Sequence, residues 1–479
     1  MALQERSISV TITSIIISLM TTLTGPPVVL ATSQLLPNVS PKMEQPAFWI
    51  RKIANPGRLI LTPEEIQEMN EEGLRRQDLF LCSVKDLKEE WTREEILSLL
   101  KEDWEGFGRK DEHRYGKHGT PLEESFWTKL KNNLNQESLK EINRMLLGLI
   151  VKRTDIRFFP TLEVCVSSPT HDDSDQFQHS SVSPGSLVGI YHFSRDGLWA
   201  YVQTAFVRGW VRASDLATAK DKNEAVDYAE VKERLVITGD FVNIFRDASL
   251  QQTAFPTQMG TSFPLLNPPG QTGDANFCHV IRIPFREIEG ELTFRRGYIR
   301  RDDDVHLGFL PYTQENLARQ AFKMLHQPYG WGEMFGARDC SRFIMDIFST
   351  FGVLMPRNSK LQARLGMDPS QVEGKTLREK EKTLDRAVPL ATLLRLPNHI
   401  MLYLGKDHGR YYAIHNLWGI QKAGKSGPSL EKIGRVVVSD LSLGRSGPSG
   451  SLLDRITDIR VIGPNLNAKK KDSHETVRP

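Results

Sequence analysis

The sequence predicts a multidomain α+β chain, with a helical N-terminal domain, two small β-barrels and a C-terminal α+β domain that carries the chemistry. Three observations predict it. At 479 residues the chain far exceeds one core, since a domain takes roughly 150 residues. Helix-start signals crowd the first third, and short β segments separated by turns then take over. Finally, a glycine-rich aromatic loop, Pro328-Tyr329-Gly330-Trp331-Gly332, leads to Asp339-Cys340-Ser341 at the start of an apolar-faced helix. Charged residues make up 25% and hydrophobic ones 39%, ordinary values that indicate neither a disordered chain nor a membrane-embedded bundle. A formal net charge of +3 gives no reason to expect a nucleic-acid partner.

Residues 1–31 read as a signal peptide. Arg6 precedes an apolar run over 10–20, then the helix-breaking Gly25-Pro26-Pro27, then small residues up to Ala31. This predicts a periplasmic or secreted protein with no stable membrane partner beyond that segment, and an uncleaved anchor is the competing reading. Residues 32–155 read as the helical domain. Thr62-Pro63-Glu64-Glu65, Thr92-Arg93-Glu94-Glu95 and Thr120-Pro121-Leu122-Glu123 each place a capping Thr three residues before a Glu that can bond back. The stretch 139–150 reads as an amphipathic helix that turns fully apolar and packs on something larger.

Residues 156–220 form the first predicted barrel. Its clearest sign is the Asp196-Gly197 turn between alternating runs, followed by Gly209-Trp210-Val211. Residues 228–306 repeat the rhythm as a second barrel, ending in Gly297-Tyr298-Ile299. Trp199 and Trp210 read as barrel core. Residues 312–466 then read as α+β: a helix capped by Thr313, the Cys340 helix ending at Gly352, and strands around 400–404, 411–414, 435–438 and 456–462. The lysine-rich residues 467–479 read as a solvated tail.

Cys340 is the candidate nucleophile. Unpaired N–H groups at a helix start favour the thiolate, so its position predicts a lowered thiol pKa. His399 and His415 follow in separate strand-like segments. His399 would take the thiol proton as base and His415 would orient it through the other ring nitrogen. Tyr329 reads as an oxyanion donor beside the Cys340 N–H, with a plain wall residue as its alternative. Asp339 and Ser341 suit a polar cleft better than a core wall. Zinc on Cys340, His399 and His415 is disfavoured because no close-spaced ligand pair supports it, so no metal and no cofactor is expected. Cys82, Cys165 and Cys278 are scattered and read as small buried hydrophobes, and His192, His326 and His408 as structural residues.

The loop, Asp339-Cys340-Ser341, and His399 in a His-x-x-x-Tyr-Leu-Gly segment together resemble the NlpC-type cell-wall peptidases, papain-like enzymes of bacteria. The run Phe351-Gly352-Val353-Leu354-Met355-Pro356-Arg357-Asn358-Ser359, followed by Gln362, is similar to that family's stretch after the nucleophile helix. The order of modules resembles one branch, in which a stabilising helical domain and two bacterial SH3-like barrels precede the papain-like peptidase domain. The resemblance implies hydrolysis of the amide between γ-D-glutamate and a diamino acid, diaminopimelate or lysine, in peptidoglycan stem peptides during wall turnover or recycling. It implies Cys340 as nucleophile, His399 as base, His415 as third polar residue and Tyr329 as oxyanion donor. It also implies Asp339 and Ser341 as contacts for the free amine and backbone of an L-Ala-γ-D-Glu end; apart from the resemblance, a monomer is expected. Two features depart from the family. The run before His399 lacks a Pro-Gly-Asp turn, and Arg342 stands where many members carry glycine. A non-catalytic wall-binding protein, or a thiol acyltransferase or amidase on the same fold, are the alternatives.

Overall fold

The computed structural model describes residues 35–108, 113–169, 174–266, 277–424 and 427–463. The expected signal peptide and C-terminal tail lie outside the described residues, and among those described no helix is long and apolar enough to cross a membrane.

Two predicted helix starts form as read. Thr62 caps the helix Pro63–Arg75 and Thr92 caps Arg93–Phe107, each with Glu three residues on bonding back to the cap N–H. The third start is displaced: the helix is Glu124–Asn133, capped at Glu123, because Pro121 instead bridges to Tyr115 in extended backbone. The expected helix over 139–150 is corrected to strands Ile142–Arg144 and Leu146–Ile150. Leu146–Ile150 is held on both edges, by Leu187–Phe193 and by Leu216–Thr218, and backbone pairing on two sides overrides the helical pattern of its side chains. Nor does the N-terminal region own one core. Met43, Trp49, Leu61 and Ile66 pack with the C-terminal domain, whereas Ile96, Leu100, Trp127 and Leu130 pack with the first barrel.

The first barrel is a seven-stranded antiparallel sheet that starts before residue 156, since Leu146–Ile150 and Thr154–Arg157 belong to it. Its edge strand, Gln178–Val182, faces the C-terminal domain. The Asp196-Gly197 turn joins Leu187–Phe193 to Trp199–Gln203, with Gly197 at φ 68° and the Asp196 carboxylate accepting from Ser194 Oγ and Leu198 N–H. Trp199 and Trp210 lie in the barrel core. The second β unit has a three-stranded and a four-stranded sheet closed over Leu235, Ile244, Phe263 and Ile281.

The C-terminal domain packs the helices Gln314–Lys323 and Cys340–Ser349 against a six-stranded antiparallel sheet. The histidines sit on its neighbouring strands His399–Asp407 and Arg410–Gly424. The run before His399 forms its own strand, Thr392–Leu396, and turns through Asn398 at φ 61°. Asparagine tolerates this left-handed conformation, so the turn closes without the family's glycine.

Candidate active site

Cys340 is the first residue of its helix, and Asp339 is the N-cap, accepting the Arg342 N–H at 2.8 Å. The Cys340 side chain is buried, with the Ile400 and Ser341 N–H groups directed at its sulfur. The expected lowering of the thiol pKa does not occur: burial, with the Asp339 carboxylate adding, pushes it up to about 12. Those two N–H groups and Arg357 pull the other way and lose. A helix start is worth about 0.3–1 kcal/mol at an exposed surface, less than the cost of leaving a thiolate without water.

One residue before Ile400, His399 Nε2 lies 2.6 Å from His415 Nδ1, and His415 Nε2 lies 2.8 Å from Ser439 Oγ. Ser439 Oγ can donate or accept, so the hydrogen bonds allow two tautomer sets, and only one of them leaves His399 Nδ1 able to take a proton. In that set Ser439 accepts from His415 Nε2–H, which leaves His415 Nδ1 to accept from His399 Nε2–H and His399 Nδ1 with a lone pair. Burial pushes His399 down to about 3, with Arg455 adding repulsion, and holds His415 well below its ordinary value. His399 is half-buried and His415 fully buried. Both imidazoles are therefore neutral at physiological pH. Both ring nitrogens of His415 are committed, so it does not complete a zinc site, and among the described residues no group of three His, Cys, Asp or Glu side chains is arranged to hold a metal.

Tyr329 is placed beside Cys340 by a parallel bridge to Arg338 and by its own N–H to Gly434 O at 2.9 Å. Its ring packs on Trp418, with centroids 5.3 Å apart, and Lys432 lies over the Trp418 ring. Burial raises the Tyr329 pKa, with Cys340 and Asp339 adding, so the phenol keeps its proton and remains a donor. The loop behind it touches the first barrel. Gly332 has φ 53°, and a Cβ there would come within 2.6 Å of Gln178 O, so only glycine lets that strand approach. Glu333 and Phe335 follow at φ 72° and 58°, conformations that cost non-glycine residues about 1–3 kcal/mol each and persist only where surroundings hold them.

The sequence reading left the Asp339 carboxylate open to substrate. In the fold it is gripped by a fork: Arg357 Nη2 donates to Oδ2 at 2.6 Å and Nη1 to Oδ1 at 3.3 Å. Ser341 Oγ–H donates to Asp339 Oδ1 at 3.0 Å and accepts from Arg357 Nη1 at 2.7 Å. Asp339 is 8% exposed, and Oδ2 accepts from Arg357 alone among the described residues. The residues singled out from the sequence, Cys340, His399, His415, Tyr329, Asp339 and Ser341, lie in one region of the fold, with His399 bonded to His415 and its neighbour Ile400 against Cys340. Ser439, Arg357 and Glu333 were not among them. Arg357 lies in the stretch after the nucleophile helix that resembles the family, and Ser439 and Glu333 carry no local signal.

Comparison with known proteins agrees with this architecture. Residues 326–417 match the NlpC/P60 family, and residues 168–212 match the SH3 domain of SH3b1 type. Among solved structures, the chain is similar to a novel NlpC/P60 endopeptidase from Photobacterium damselae subsp. piscicida, at 19% identity over 86% of this chain and 96% of that one, with a TM-score of 0.72. That likeness shows the fold. An NlpC/P60 family protein from Bacillus cereus (15% identity, 60% and 83% covered, TM-score 0.41) and NlpC2 from Trichomonas vaginalis (12% identity, 67% and 98% covered, TM-score 0.26) align too loosely to carry an argument. No curated protein matches the chain. The chain thus carries an SH3b-type domain and a C-terminal NlpC/P60-type peptidase domain.

Proposed function

We propose that this chain is a cysteine endopeptidase of the bacterial cell envelope that cleaves the γ-D-glutamyl-diamino acid amide, with diaminopimelate or lysine as the diamino acid, in stem peptides bearing a free N-terminal L-Ala. The observation that carries the reading is the uncharged histidine pair beside a helix-start thiol. His399 is bonded to His415 at 2.6 Å, and the next residue, Ile400, points its N–H at Cys340.

The chemistry starts from a neutral thiol and a neutral imidazole. As Cys340 Sγ attacks the carbonyl carbon, His399 Nδ1 takes the thiol proton, and His415 accepts the bond from the resulting imidazolium's other N–H. The carbonyl oxygen gains the negative charge and is held by the Cys340 N–H and the Tyr329 hydroxyl. The C–N bond then breaks, His399 returns its proton to the leaving amine, and a thioester remains. Water, deprotonated by His399, attacks the thioester and frees the acid and the thiol. No step needs a cofactor.

Asp339 is the candidate partner for the substrate's ammonium, through the remaining lone pair of Oδ2, and Ser341 for its backbone. We assign the protein to wall turnover or recycling, acting as an exported monomer. The test is release of diaminopimelate from L-Ala-γ-D-Glu-diaminopimelate, followed by mass spectrometry and expected to vanish in Cys340→Ala. Full activity in that variant would sink the mechanism, and a transfer product or a cut at another bond would replace endopeptidase with acyltransferase or amidase. N-acetylation of the peptide is expected to reduce turnover sharply, and unchanged kinetics would remove Asp339 from amine recognition.

A further inference from the structure

A line of buried charges of alternating sign runs behind the nucleophile. It begins in the second β unit, where Asp240 Oδ1 accepts from Arg338 Nη1. Arg338 Nε donates to Asp346 Oδ2 at 2.6 Å, and Arg342 Nε donates to the other oxygen of Asp346 at 2.5 Å. Arg342 Nη1 then reaches Glu333 Oε2 at 3.0 Å, and Arg357 Nε lies 3.3 Å from Glu333 Oε1. Arg357 ends the line at Asp339, the N-cap of the Cys340 helix, at 2.6 Å. Each guanidinium bridges two carboxylates. Buried charges cost several kcal/mol apiece unless paired and hydrogen-bonded, so every link depends on the next.

The first barrel enters this line at Glu333, which is 0% exposed. Ser180 Oγ donates to Glu333 Oε1 at 2.7 Å, the Ser181 N–H donates to the same oxygen at 3.1 Å, and Ser181 Oγ donates to Oε2. The same strand takes both flanking arginines: Arg357 Nε bonds Ser180 Oγ at 2.7 Å and Arg342 Nη1 bonds Ser181 O at 3.2 Å. Arg342 is the residue that departs from the family's glycine, and here it fills the joint between barrel and nucleophile helix. Burial would push the Glu333 carboxyl up, yet Arg342, Arg357 and Arg153 together with Ser181 outweigh it and hold it at about 2. It is therefore a permanent anion at the point where the barrel meets the peptidase domain.

We infer that Glu333 is a positioning residue through which the first barrel sets the nucleophile: Ser180 and Ser181 fix Glu333, Glu333 fixes Arg357, and Arg357 fixes the Asp339 cap over Cys340. The barrel and the peptidase domain then form one catalytic unit. The inference rests on Cys340 being the nucleophile, and Cys340→Ala tests that premise separately.

The experiment compares full-length wild type, Glu333→Gln, Ser181→Ala and Ser181→Thr for kcat, KM and the pH dependence of Cys340 alkylation by iodoacetamide, per folded molecule. Glu333→Gln keeps the shape but leaves Arg357 without its second carboxylate. It is expected to lower kcat by roughly 10- to 100-fold, as a misplacement near 1 Å does, with a smaller change in KM. The alkylation profile is expected to shift to lower pH, because Arg357 then acts on the thiolate with less of its charge shared. If Glu333→Gln does not fold, Ser181→Ala carries the test: a several-fold fall in kcat, restored by the hydroxyl of Ser181→Thr. Wild-type kcat with an unmoved alkylation profile, in Glu333→Gln or in Ser181→Ala, would reduce the contact to adhesion and overturn the inference.

Discussion

The two sides of Cys340 are built on opposite principles. On one side stand His399, His415 and Ser439, uncharged groups joined by hydrogen bonds of 2.6 and 2.8 Å. On the other stand Asp339, Arg357 and Glu333, charged groups joined at 2.6 and 3.3 Å. His415, Ser439 and the ionic groups are buried and His399 is half-buried, so burial alone does not separate the two sides. What separates them is compensation: every charge on the ionic side has an opposite partner, whereas an imidazolium on the histidine side would have none until a thiolate forms. A base must be able to gain charge during the reaction. A positioning group must not change charge at all.

This contrast is broken most directly at His399. If the resting site were a thiolate–imidazolium pair, His399→Ala would remove both turnover and the reactive thiolate. With neutral partners, the variant is expected to lose roughly 100- to 10,000-fold in kcat/KM, the span of general base catalysis. Its iodoacetamide alkylation is expected to keep the wild-type pH dependence, since the thiol is pushed to about 12 by burial and Asp339 rather than set by the imidazole. A wild-type alkylation rate that stays flat down to about pH 4, and collapses in the variant, would mean that the pair is already ionised.

The ionic side is probed by acid. Glu333 is held at about 2 against an ordinary 4.5, so its folded form binds a proton less readily than its unfolded form. Its contribution to stability is then fully present above about pH 4.5 and is lost as pH falls through 2. A shift of this size corresponds to on the order of 3 kcal/mol. Thermal melts between pH 5 and pH 2 are expected to lose more stability in wild type than in Glu333→Gln. Parallel pH dependences would show that Glu333 is not the titrating joint.

How much of this was legible follows the same division. Cys340, His399, His415 and Tyr329 stood out because a cysteine at a helix start, histidines on strand-like segments and a glycine-aromatic loop each leave a local pattern. The ionic side could not. Glu333 meets Ser181 across 152 residues of sequence, and nothing near either position announces the other. Asp339 shows the halfway case: its polar character at the cleft was legible, but its capture by Arg357 was not. Among the elements, the Thr62 and Thr92 caps were legible because both partners lie within four residues. Residues 139–150 carry a helical pattern yet form strands, because the two strands that pair with Leu146–Ile150 lie about 40 and 70 residues downstream, around Ile190 and Ala217.

The smallest effect falls on the outermost group of the neutral side. Ser439 is 0% exposed, and its hydroxyl is the partner of His415 Nε2. Ser439→Ala leaves that buried N–H unsatisfied, which costs about 1–3 kcal/mol of stability. His415 can relieve the cost by moving its proton to Nδ1, but then it presents a donor to His399 Nε2 and drives the base into the tautomer whose Nδ1 carries the proton. That tautomer cannot accept from Cys340. The variant is therefore expected to show a several-fold lower kcat with little change in KM, and Ser439→Thr, which keeps the hydroxyl, is expected to recover most of it. Loss of stability with kcat unchanged would mean that Ser439 only fills the sheet, and that the His399–His415 pair holds its tautomers without help.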